Sequence, residues 1–140
     1  MAGTGRNVLA VIAGVVLWSV LWVGGAQVAA MMYPAVLAPG QPVAHTGALL
    51  GYIAFSVVLS VLAGYATAAA ATGHRMRSVR IVAGVLLMMG IGFEVSAWQL
   101  TPVWYHLVFL VLLVPAVLYG GRLREGSVRE SHRAGRAAAI

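Results

Sequence analysis

The chain contains no cysteine, which rules out disulfides, iron–sulfur clusters and thiolate zinc sites. Lysine is missing as well, and charge is scarce: 9% of the 140 residues are charged, against about a quarter in an ordinary soluble domain. Apolar residues take up the difference. They make up 61% of the chain and raise the mean hydropathy to +0.93, as in a membrane protein. The charges that exist are nine arginines and three glutamates, a formal net charge of +6. The arginines fall in short blocks between long apolar segments, a pattern of anchoring beside anionic headgroups and not of a nucleic-acid surface. The lipid bilayer is the partner this composition implies, and no nucleic acid is expected.

A hydrocarbon core of roughly 30 Å takes about 20 apolar residues as a helix, since only helices and closed barrels satisfy their own backbone in lipid. Four segments qualify: Asn7–Ala30, Gly47–Thr72, Val79–Leu100 and Pro102–Gly121. None alternates like a barrel strand. The expected fold is therefore all-α, four transmembrane helices in an antiparallel bundle over residues 1–121 with a basic tail over 122–140. The first segment has the Arg6 and apolar run of a signal peptide, but the run is long for one and is read as a retained span.

The connections set the orientation. The first, "MMYPAVLAPGQPVAHT", has no arginine and three helix-breaking prolines, Pro34, Pro39 and Pro42. The second carries Arg75, Arg77 and Arg80, and the tail carries Arg122, Arg124, Arg129, Arg133 and Arg136. The positive-inside rule puts these and Arg6 in the cytoplasm, with both termini. The third connection is so short, with Thr101 as N-cap and Pro102 opening the last helix, that spans three and four form an antiparallel hairpin. The polar, charge-mixed tail is expected to be mobile or to lie on the membrane surface.

Helices associate in lipid through small residues that let backbones approach. Ser56, Ser60, Gly64 and Ala68 recur every four residues on the second span and predict its packing face, against another helix of this chain, a second copy in a homodimer or a membrane-protein partner. Ala10 and Gly14 share a row with Trp18 and Trp22 on the first span, and Gly84, Gly90 and Gly92 serve the third. The fourth has almost no small residue before Pro115, which predicts a peripheral, lipid-facing helix kinked at that proline.

Glu94 is the sole carboxylate of the first 120 residues. It falls about 9 Å below the outer end of the third span by helical rise. An unpartnered charge inside a bilayer costs roughly 2.5–3.5 kcal/mol, so Glu94 is expected to face the bundle interior with a partner or to hold a proton. His106 is the nearest candidate; Ser56, Tyr52 or a tryptophan N–H would serve a purely structural glutamate. His106, flanked by Trp104 and Tyr105, also fits an interfacial anchor. Trp22 and Trp98, with Trp18, could wall a pocket for a lipophilic cation bound at Glu94, with Tyr52 and His106 adding hydrogen bonds. His45, Glu94 and His106 have a metal-like composition but no spacing motif, so no metal or other cofactor is expected. Nucleophile elbows, phosphate loops and paired acids are absent, which points to a non-enzymatic accessory or scaffold protein or a binder of a small lipophilic or cationic molecule. The alternatives are a proton-coupled small transporter using Glu94 and, behind it, a lipid-modifying enzyme.

From Gly64 onward, "GYATAAAATGHRMR", Trp98, "PVWYHLVFLVLLVP" and the closing "GGRL" resemble a family of small, uncharacterised bacterial integral membrane proteins. The resemblance implies a four-span protein of the bacterial inner membrane and brings no activity with it. Small multidrug transporters are also four-helix proteins with one membrane glutamate, in their first span instead of the third.

Overall fold

The computed structural model describes residues 2–138, and these form four α-helices: α1 (Ala2–Met32), α2 (Thr46–Ala70), α3 (Arg75–Ser96) and α4 (Val103–Ala138). All four are long and apolar enough to cross a membrane, so the chain is a multi-pass membrane protein. The all-helical bundle follows from the bilayer constraint: a segment this apolar has no water to satisfy its peptide groups and closes them within itself.

The tightest contact joins α2 to α4. A Cβ on Gly64 would overlap the Val117 carbonyl, and one on Gly120 would overlap the Val61 carbonyl, so the two backbones touch where these glycines cross. Ser56, Ser60, Gly64 and Ala68 are all buried inside the one chain. α4 accordingly packs one face tightly on α2 and α3, while Leu107, Val111 and Tyr119 on its other face stay exposed as a lipid-facing helix would have them. It buries Tyr105, His106, Phe109, Leu113, Ala116, Val117, Gly120 and Gly121, a helical stripe that uses large side chains at the hairpin end and small ones past Pro115. Helix association needs small residues only where backbones cross, and in α4 they lie beyond the proline.

α1 packs on α2 and α3 through the row Ala10, Gly14, Trp18 and Trp22. A Cβ on Gly14 would overlap the Thr67 hydroxyl. Of the three glycines expected to pack α3, Gly90 touches Leu110 and Leu113, whereas Gly84 and Gly92 face open space. Two polar ties close the end that holds the termini: Arg6 Nε donates to the Ala70 carbonyl at 2.9 Å, and the Thr72 amide donates to Asn7 Oδ1 at 2.8 Å. They satisfy groups that the C-terminus of α2 would otherwise leave open.

Both ends of α3 and the far end of α4 differ from the hydropathy pattern. α3 takes in Arg75, Arg77 and Arg80 and stops at Ser96, because residues 97–100 turn and the Leu100 carbonyl accepts from the Val43 amide of the first connection at 2.8 Å. Glu94 therefore lies in the last turn of α3, nearer the hairpin end than its count from Leu100 suggests. α4 runs through Pro115 and on to Ala138, so the tail is an exposed helical extension and not an irregular segment. No proline interrupts it, and Ser127 and Ser131 bond back to the carbonyls of Leu123 and Ser127.

Candidate functional site

Two features share the hairpin end of the bundle, and they are separate. The first is built on the α3–α4 turn. Glu94, from the last turn of α3, and His106, from the first turn of α4, are both buried and paired through Glu94 Oε2 and His106 Nδ1. The other ring nitrogen, Nε2, lies 3.2 Å from the Thr101 carbonyl and 3.1 Å from its hydroxyl. A carbonyl can only accept, so Nε2 carries a hydrogen and donates it. A hydrogen between Nδ1 and the carboxylate closes the bond, and having this partner removes most of the cost of placing a carboxylate in lipid.

Trp98 closes this pair from outside. Its ring lies 4.6 Å from the His106 ring and within 8° of parallel, while half of its own surface is exposed. Tyr105 flanks the imidazole edge-on at 6.1 Å and is itself buried. His106 is thus an interior residue and not an interfacial anchor; of its flanking aromatics, Trp104 is the one left open. The glutamate's partner is His106 and not Ser56, Tyr52 or an indole N–H.

The aromatic pocket expected around Glu94 is filled. Trp22 stacks on Trp18 at 5.4 Å and meets Phe109 at 5.4 Å, and Phe109 stacks on Tyr105 at 6.0 Å. Phe109 and Tyr105 thus occupy the space between the α1 tryptophans and the α3–α4 pair, so Trp22 and Trp98 do not share a cavity. Trp18 is buried, and its indole N–H donates to Ser60 Oγ at 3.1 Å, which fastens α1 to the small-residue row of α2.

The second feature is a cleft of about 500 Å³ between α1, α2 and the connection joining them. Its walls include Gly25, Ala29, Val36, Leu37, Gly51 and Phe55, with Tyr33, His45 and Tyr52 as its polar members. A Cβ on Gly51 would meet nothing, whereas one on Gly25 would strike the Phe55 ring. Glu94, His106 and Trp98 do not line it. Tyr52 therefore belongs to the cleft, while Trp22 backs it by contact with Tyr52 and Phe55 at 5.8 and 6.0 Å.

His45, which the sequence placed only at a span end, is the N-cap of α2: its Nδ1 accepts the Ala48 amide at 3.3 Å. The cue was there, a polar residue followed by Thr46, Gly47 and an apolar run, but histidine is a rare cap. It does not join Glu94 and His106, and among the described residues no three such side chains converge as a metal site would need. No family model, characterised protein or solved structure matches the chain.

Proposed function

We propose that this is a non-enzymatic protein of the bacterial inner membrane that binds a small lipophilic molecule in the outer half of its bundle, in the α1–α2 cleft. The observation that carries the reading is the cleft itself. Its volume is in the range of small-molecule sites, and its wall is apolar apart from three side chains. Arg6, Arg75, Arg77 and Arg80 gather at the opposite end of the bundle, as does the arginine-bearing extension of α4. The positive-inside rule then supports cytoplasmic termini and a cleft in the outer leaflet.

Glu94 and His106 act in this reading as a latch holding the α3–α4 hairpin, which fits an accessory or scaffold role equally well. Proton coupling through Glu94 would need a route for water or ligand to the carboxylate. Its burial behind Trp98 and Tyr105, and its absence from the cleft wall, support the structural role instead.

The test is photolabelling in nanodiscs with a long-chain alkyl diazirine. The expected result is saturable labelling concentrated in residues 25–37 and 45–55, lost in Gly51→Phe, which adds a ring at a cleft-lining position whose Cβ meets no neighbour. Labelling spread evenly over the lipid-facing surfaces, or unchanged in Gly51→Phe, would refute the binding function.

A further inference from the structure

We infer that the α1–α2 cleft selects a neutral lipophile whose head carries two carbonyl acceptors, held by hydrogen bonds donated from His45, Tyr33 and Tyr52. The inference rests on the binding function proposed above and specifies its ligand.

The donors follow from local structure. His45 Nδ1 is occupied as the acceptor of the Ala48 amide, so the neutral ring carries its hydrogen on Nε2. Gly47 makes that geometry possible, since a Cβ there would sit 3.1 Å from the imidazole Cε1 and press the ring away. The side-chain hydrogen bonds among the described residues engage neither the Tyr33 nor the Tyr52 hydroxyl. Tyr33 and His45 are exposed at the mouth and Tyr52 is half-buried in the wall, so three side chains able to donate border an otherwise apolar cleft, a recognition set for acceptor oxygens.

Charge sets the rest of the chemistry. No arginine or glutamate lines the cleft, so an anionic or cationic head would lose its hydration without a counter-ion. The sequence-based expectation of a cation at Glu94 fails for the same reason, because that carboxylate is spent on His106 in another part of the molecule.

The donors also lie at two levels. Tyr33 and His45 stand at the ends of α1 and α2, and Tyr52 lies about 10 Å further along the axis. Its side chain leans back toward the helix N-terminus, as helical side chains do, which brings the hydroxyl several ångströms nearer the mouth. A head with two separated carbonyls spans that interval, and its tail runs along Phe55 and out into lipid. Quinones and glycerol diesters share this chemistry.

Competition against the alkyl diazirine label separates the cases, using decylubiquinone, dioctanoylglycerol and dodecane with the full chain in nanodiscs. The expected result is displacement by one or both carbonyl compounds at concentrations at which dodecane is without effect. Decylubiquinone alone would identify a ring dione, and dioctanoylglycerol alone a lipid ester. Tyr52→Phe should weaken displacement about fivefold, the loss of one hydrogen bond. His45→Asn should do the same while keeping an N-cap, so a folding defect is not the cause. Equal displacement by dodecane, or unaltered competition in both variants, would overturn the carbonyl specificity and leave the cleft as a general apolar site. If the cleft takes up no label at all, the binding function itself fails.

Discussion

Replacing Glu94 by glutamine should cost the protein far less than replacing it by alanine, and the reason is the second nitrogen of His106. Because the Thr101 carbonyl fixes a hydrogen on Nε2, a neutral imidazole turns a bare Nδ1 lone pair toward residue 94. A glutamine amide can donate to that lone pair in the same shape as a protonated glutamate. The change exchanges a charge-assisted hydrogen bond for a neutral one, at a cost of about 1 kcal/mol. Alanine offers no donor. With His106 1% exposed, the orphaned Nδ1 costs roughly 1–3 kcal/mol and the lost packing adds about 1 more. The expected order is therefore wild type, then Glu94→Gln lower by about 1 kcal/mol, then Glu94→Ala lower by about 2–4 kcal/mol. Equilibrium unfolding in mixed micelles over an SDS titration reads these differences. A cycle with His106→Ala should return a coupling energy of about 2 kcal/mol, as expected for two groups that share one bond. The reasoning is refuted if Glu94→Gln is as damaging as Glu94→Ala, because the bond would then need the carboxylate. It is refuted equally if Glu94→Ala is neutral, because the pair would then fasten nothing.

Gly64→Val should prevent folding, since its side chain would enter the Val117 carbonyl; Gly84→Val, facing open space, is the control expected to accumulate like wild type in membranes. Trp18→Phe removes the indole N–H from Ser60 and should lower stability by about 1 kcal/mol in the same SDS titration. Asn7→Ala frees the Thr72 amide, so hydrogen exchange should speed up over residues 68–73 and stay unchanged at the hairpin end.

The sequence carried the four spans because each had to pass the same physical filter, a long apolar run closed on itself. It also carried the packing face of α2, where Ser56, Ser60 and Gly64 break an otherwise bulky surface. The place of α4 was hidden. In a soluble bundle a buried stripe stands out against a polar face, but here Phe109 and Leu113 look like the lipid-facing Val111 and Leu112 beside them. The pairing of Glu94 with His106 was legible from their shared hairpin, because buried charge has so few ways to be tolerated. The cleft was not. It arises from the path of an irregular connection over two helices, and no periodicity encodes where Val36 and Leu37 come to rest.

The crossing of α2 with α4 also bears on how the protein is made. The second helix enters the membrane with Ser60 and Thr67 already facing α1, but its Gly64 groove is filled only by α4, which follows two spans later. Until α4 arrives that groove must rest against lipid or against the insertion machinery. The α2–α4 crossing therefore cannot form before α4 is made, and a chain arrested before Val103 would present a membrane-embedded seam. Such a seam exposes the small-residue groove that only the finished bundle buries, so the order of the helices sets which surface an unfinished copy shows.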